Sequence, residues 1–346
     1  MSPAFLPSPL ARGLAALSLT LLAAGCAQLP PAPPPGPQRQ ATPPQLAQAG
    51  QVGLAPEQLN RLLNQPLYRM KPAELSPYLA WLQLAEPDLR RRIAALARQN
   101  IGQPYELYLL GEFPFESYDG QPLFNLEKSD CVVFAEHVYA MALSASWEEF
   151  FWMLQRLRYR DGVIGVATRN HYTEADWNPA NRWLLQDITA ELGGPRAQAY
   201  TQRIDRQAFL RKQFKIERAI PVQQFEDRFI RKEDVAAIEA QLQDGDFVNV
   251  ISGRDGGYWA SHVGLIVTGA DGRRQLLHSA EPAVREESLQ DFIARMNERD
   301  ARQAGQNKPA LAGFKFLRLN ERPEVPPMAP QPRPARPAAL TAALAN

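Results

Sequence analysis

The sequence is poor in the residues that carry most metal and redox chemistry. Its 346 residues include two cysteines and four histidines, and no Cys/His grouping has zinc-ligand spacing. Neither a metal nor another cofactor is therefore expected. Two cysteines cannot build a disulfide framework. An excess of one charge sign is missing too, since 38 Lys and Arg face 37 Asp and Glu for a formal net charge of +1. That balance provides no basic stripe for nucleic acid. Beyond the N-terminal stretch, no apolar run is long enough to span a bilayer.

What is present is enough apolar residue, 45%, to bury a full core, together with 31 prolines crowded into the two ends. Arg12, the apolar run Gly13 to Ala24 and Leu22-Ala23-Ala24-Gly25-Cys26 have the layout of an exported precursor. The last five resemble the lipobox of bacterial lipoproteins. That resemblance implies a signal peptide over 1–25, lipidation of Cys26 and a membrane anchor. With Ala27 and Gln28 in place of the aspartate that retains such proteins at the inner membrane, the outer membrane is expected, on its periplasmic face. Residues 26–50 read as an extended Pro-rich spacer and 322–346 as a disordered Pro-rich tail. The domain between, 51–321, is expected to be α+β and monomeric.

If Cys26 carries lipid, Cys131 is a lone thiol in an oxidising compartment. It follows the turn-forming Ser129-Asp130 and opens an apolar face at Phe134, Ala135, Val138, Tyr139 and Ala142, the spacing of a helix. A thiol at a helix start meets free N–H groups and the positive end of the macrodipole, so its pKa is expected to fall. Upstream, helices are predicted over 55–66 and 72–99, then a turn-rich, aromatic approach over 101–130. Downstream, a helix over 147–157 leads into an irregular stretch dense in Arg, Asn, His, Tyr, Asp and Trp. Alternating strands follow at 247–251, 261–267, 275–280 and 314–319, an antiparallel meander. His262 and His278 fall on neighbouring strands of one hairpin. A helix-start cysteine and two histidines are the parts of nucleophilic acyl transfer.

At these residues a family resemblance appears. Asp130-Cys131, Ser261-His262-Val263-Gly264 and Leu277-His278-Ser279-Ala280 resemble, in order, the signatures of the NlpC-type papain-like cell-wall cysteine hydrolases, and Gly102-Gln103-Pro104-Tyr105 resembles their upstream motif. Arg158-Tyr159, Arg169-Asn170-His171-Tyr172, Asp176-Trp177, Asp187-Ile188-Thr189 and Gly245-Asp246-Phe247-Val248-Asn249 resemble the N-acetylmuramoyl-L-alanine amidase-like branch. One departure is Val133, where a hydroxyl residue is expected. The resemblance implies a papain-like NlpC-type fold, the helix-start cysteine packed on an antiparallel sheet, with extra N-terminal helices. It implies Cys131 as nucleophile, His262 as its ion-pair partner and general acid, and His278 orienting His262, with His171 as the other candidate for that third place. It implies peptidoglycan as substrate, cut between N-acetylmuramic acid and L-alanine, with Tyr105, Arg169, Asn170, His171, Tyr172, Asp176 and Trp177 as contacts. An endopeptidase of the stem peptide and a silent wall-binding lipoprotein are the alternatives.

Overall fold

The computed structural model describes residues 38–345. The expected signal peptide, Cys26 and most of the spacer lie outside them. The spacer's last part is not extended. Arg39 and Ala41 donate backbone N–H groups to Asn64 and Asn60, and Pro43–Gln51 forms helix α1, opened by Thr42 and Gln45. Proline at a first helical position costs no hydrogen bond there, because that N–H has no partner in any helix.

Helix α2 (Pro56–Asn64) follows, and the single helix predicted over 72–99 is two, α3 (Pro72–Ala85) and α4 (Leu89–Gln99). Pro87 forces the break, since the residue before proline is pushed out of the helical region. Asp88 then caps the new helix through Arg91 N–H. Helix α5 (Cys131–Ala142) is apolar almost all round and buried from Val133 onward. It packs beside α6 (Trp147–Arg158).

The remainder of the chain builds one antiparallel sheet from β1 (Leu185–Asp187), β2 (Ala197–Ile204), β3 (Gln223–Arg231), β4 (Phe247–Arg254), β5 (Gly257–Thr268), β6 (Arg274–Ala280), β7 (Ala283–Ser288) and β8 (Ala310–Leu319). The order is β2-β3-β8-β4-β5-β6-β7, with β1 on β8. The last strand therefore lies centrally, beside β4, and not at the end of the meander. Alternation divides the sheet's side chains between two faces. Val263, Leu265 and Leu277 join α5 in the larger core, whereas Ile266, Leu276 and Phe316 pack with the Leu289–Arg302 helix on the other side.

The tail is ordered rather than free. Gln331 binds the Gly162 carbonyl and Ile164 N–H, Arg336 N–H reaches Pro114 O, and Pro337–Ala345 is a helix laid against Phe151 and Trp152. Leu340 and Leu344 supply the apolar contact that a Pro-rich composition obscures.

Candidate active site

Asp130 is the N-cap of α5, its Oδ1 accepting from Val132 N–H at 3.0 Å and Val133 N–H at 2.8 Å. This arrangement sets Cys131 in the first turn, half-buried. The preceding loop is tied down by its own polar groups. Ser279 Oγ on β6 donates to the Ser129 carbonyl at 2.9 Å, and Ser129 Oγ donates to Gln103 Oε1 at 2.8 Å. Gly102-Gln103-Pro104-Tyr105 runs along β7 through Gly102 N–H to Val284 O and Tyr105 N–H to Pro282 O. The upstream motif is thus a splint between the cysteine loop and the sheet edge.

Strand β5 passes beneath the thiol, and the backbone N–H of Val263 is directed at it. Its neighbour β6 pairs only from Leu265 and Leu277 outward, so the two strands part at His262 and His278. The opposite edge of β5 carries a bulge, with Val250 opposite His262 and Ile251 opposite Ala260. Ser261 is the extra residue, and such a bulge re-aims the side chain beside it. Gly264 is needed here, because a Cβ would come within 2.7 Å of Leu276 Cδ1 and 3.0 Å of His278 Cβ.

The two imidazoles meet at 2.7 Å, His262 Nε2 to His278 Nδ1, and His278 Nε2 stands 2.8 Å from Glu287 Oε1 on β7. Glu287 also binds Arg295 at 2.6 Å and Arg285 at 3.1 Å. Burial raises its carboxyl, but the His278 hydrogen bond and Arg295 outweigh that and hold it down to about 2. An ionised carboxylate only accepts, so Nε2 of His278 carries the proton it donates. In the neutral ring Nδ1 is then an acceptor, which makes His262 Nε2 the donor and leaves the lone pair on His262 Nδ1. Both rings are kept neutral by burial, His262 held well below the usual histidine range and His278 lowered too. Glu287 thereby sets the tautomer of a ring it does not touch. It was missed in the sequence because no local pattern links a β7 carboxylate to a β6 histidine; only the register does, through His278 opposite Arg285.

The thiol departs from expectation. Burial, and next to it the Asp130 carboxylate, push Cys131 up to about 12. The backbone N–H groups of Val263, Val132 and Cys131 pull the other way, but burial and the anionic cap outweigh them. The shifts at Cys131 and His262 both favour a neutral thiol beside a neutral imidazole over the ion pair that the resemblance implies. Tyr105 stands close enough for the cysteine to affect it, and burial first, then Cys131, push its hydroxyl up to about 12.

The other sequence-predicted contacts have side chains committed within the protein. Arg169 Nε donates to buried Glu112 at 2.7 Å, and its terminal nitrogen reaches Asp119 at 2.9 Å. Asn170 Nδ2 holds the Leu157 carbonyl. Trp177 is in the core, stacked on Phe247 and donating to Glu136 at 3.0 Å. Glu136 pairs in turn with Arg158 at 3.0 Å, bolting α5 to α6. Asp176 holds Arg206 at 2.6 Å and Tyr172 N–H. His171 bonds Val166 O, packs on Phe209 and is pressed down to about 3 by burial. Neither it nor Tyr172 joins the histidine pair, although both stay partly open to solvent. His137, within α5, is buried and bonded to Val133 O one turn earlier. No group of His, Cys, Asp and Glu among the described residues could hold a metal ion.

A family model described as AmiA-like, N-acetylmuramoyl-L-alanine amidase-like, matches residues 95–299. No curated protein matches the sequence. Among solved structures, a Legionella pneumophila protein of the family designated DUF1460 is similar over 75% of this chain and 96% of its own, with 19% identity and a TM-score of 0.61. An N-acetylmuramoyl-L-alanine amidase from Bacteroides uniformis is similar over 67% of this chain and 99% of its own, with 21% identity and a TM-score of 0.52. At these identities the two structures speak for the fold.

Proposed function

Because the chain belongs to the N-acetylmuramoyl-L-alanine amidase-like family, we propose that it is a peptidoglycan hydrolase that cuts the amide between the lactyl group of N-acetylmuramic acid and L-alanine, using a papain-like NlpC-type fold. The observation that carries the reading is the Glu287–His278–His262 relay, which leaves an unprotonated nitrogen on the residue next to Val263, whose N–H is directed at Cys131.

In this mechanism Cys131 Sγ attacks the lactyl carbonyl carbon while its proton moves to His262 Nδ1. The oxyanion is held by the Cys131 backbone N–H and, from the splint, by Tyr105. The proton then passes from His262 to the L-alanine nitrogen, the C–N bond breaks, and a thioester with a free stem peptide results. Water, deprotonated by His262, attacks the thioester, and the returning proton restores the thiol. His278 keeps the base in its productive tautomer through both halves. His171 and Tyr172 act as rim contacts for the glycan or peptide, whereas Arg169, Asn170, Asp176 and Trp177 hold the walls to which that rim is attached. The protein acts as a monomer at the periplasmic face of the outer membrane, anchored through lipid on Cys26.

Mass spectrometry of defined muropeptides incubated with the chain from Ala27 onward, wild type beside Cys131→Ala, tests the reading. Free stem peptide beginning with L-alanine, released by wild type alone, is the expected result. Fragments beginning inside the stem would replace the amidase by an endopeptidase. Cleavage by the Cys131→Ala protein would remove Cys131 as nucleophile.

A further inference from the structure

Both His262 and His278 line a cavity of about 380 Å³. Its floor is apolar, formed by Val250, Phe292, Met296 and Leu311, and its rim carries Arg285, Arg295, Arg299 and Lys308 beside Ser261 and His262. Glu287 answers Arg285 and Arg295 together, and Asp300 answers Arg299 at 2.6 Å. Lys308 is exposed. Four cations against two carboxylates leave an excess of two positive charges around an apolar floor. The polar pocket on the other face of the sheet has the reverse balance, with Glu174, Asp187, Glu226 and Asp227 around Arg182 and Lys315. An anionic ligand is therefore favoured in the first cavity and repelled from the second.

We propose that this cationic cavity is the site of the leaving peptide, its apolar floor taking the L-alanine methyl and its rim the carboxylates further along the stem. This rests on the amidase reading and deepens it. The general acid must hand its proton to the leaving nitrogen, so the first residue of the departing peptide has to lie against the His262 ring. The cavity is where that ring is presented alongside room for a peptide. Guanidinium groups bind carboxylates with charge-assisted, often bidentate geometry; Arg295 keeps Nη1 to spare beyond Glu287, and Arg285 keeps Nη2 beyond Glu287 and the Ala280 and Glu281 carbonyls.

The test is calorimetric binding of the free tripeptide L-alanyl-γ-D-glutamyl-meso-diaminopimelate to the full chain bearing Cys131→Ala. The comparison ligand has the glutamyl carboxylate converted to its amide. The amide is expected to bind about tenfold more weakly, as one charge-assisted pair is lost. Lys308→Glu and Arg299→Gln, both on the rim and away from the relay, are expected to weaken the acid about five- to tenfold each. These differences should shrink in high salt, as screening requires. Unchanged circular dichroism melting shows that each variant is folded. Equal affinity across the variants and the two ligands overturns the proposal. So does an absence of binding in a preparation whose wild type releases stem peptide, which would leave the amidase standing without this pocket. Variant-sensitive binding in a protein that releases no stem peptide would uphold an anionic-peptide site and remove the amidase reading.

Discussion

Asp130 takes up the N–H groups of Val132 and Val133 and sets a carboxylate beside the thiol, so at the level of single residues this helix start works against a thiolate. Iodoacetamide should alkylate Cys131 slowly at pH 7, with a rate that keeps climbing through the alkaline range toward about 12. A plateau at neutral pH would mean that an ion pair exists after all. Asp130→Asn retains an acceptor for the cap while removing the like charge, and should speed alkylation at pH 8 about tenfold, the effect of a pKa lower by roughly one unit. Glu287 is testable as a positioning residue. Glu287→Leu should lower kcat by about 10²-fold with little change in KM, and histidine ¹⁵N spectra should show the proton on His262 redistributed between its nitrogens. Glu287→Gln, which can still accept through its oxygen, should restore much of the loss. If the leucine variant keeps the wild-type tautomer, the carboxylate does not govern it. Cys131, His262 and His278 were legible as residues because each is scarce in this chain and sits beside a recognisable turn, helix start or strand. Glu287 is one of many acidic residues, and only register reveals it.

Among the elements, the parting of β5 from β6 makes the site, and Gly264 is the close contact on which it turns. Gly264→Ala must move His278 or Leu276, and should cost about 1–3 kcal/mol as overpacking does. Lost activity should accompany the drop in thermal midpoint. A variant that melts lower yet keeps full activity would show that the histidine contact tolerates displacement. Deleting residues 323–346 uncovers Phe151 and Trp152 where Leu340 and Leu344 now rest. A loss of about 2 kcal/mol is expected from the apolar area exposed, read by thermal unfolding; an unchanged midpoint would mean that the tail only lies there. The strands of the hairpin were legible because alternation fixes their faces, whereas the central place of β8 was not, since sequence order says nothing of a strand's neighbours once the connection is a helix. The tail helix was hidden by its prolines. Its apolar residues are few and become informative only against the aromatic face of α6.

Acid should weaken the fold through its buried imidazoles, against the buried carboxyls of Glu112, Asp130, Glu136, Glu174 and Asp227, which burial raises and which favour the folded state as pH falls. His137 is held to about 4 and His171 to about 3 by burial, and His262 well below 6.5. The unfolded chain takes up those protons as pH falls through 6.5 while the folded one refuses them. The contribution of these histidines is therefore complete above 6.5 and is lost as pH falls toward 3. Glu287, at about 2 when folded, adds a contribution present above its ordinary 4.5 and lost as pH falls toward 2. The fall in melting temperature between pH 7 and pH 4 should be shallower in His137→Gln than in wild type, and equal slopes would mean that this buried imidazole is not kept neutral. The α+β class was legible at this scale from the helical spacing before Cys131 and the alternation after Asp244. The folded ends were not, because composition reports what a segment cannot bury alone and is silent on the surface waiting for it.

The N-terminal stitching has a mechanical consequence. Arg39 and Ala41 are bound side-on to Asn64 and Asn60, and the Gln45 carbonyl accepts from Trp81. A pull transmitted to residue 38 would have to break these bonds before it could strip α1 from α2 and α3. The first described residues are thus held by their own bonds to α2 and α3, elements that contain neither Cys131 nor the histidine strands.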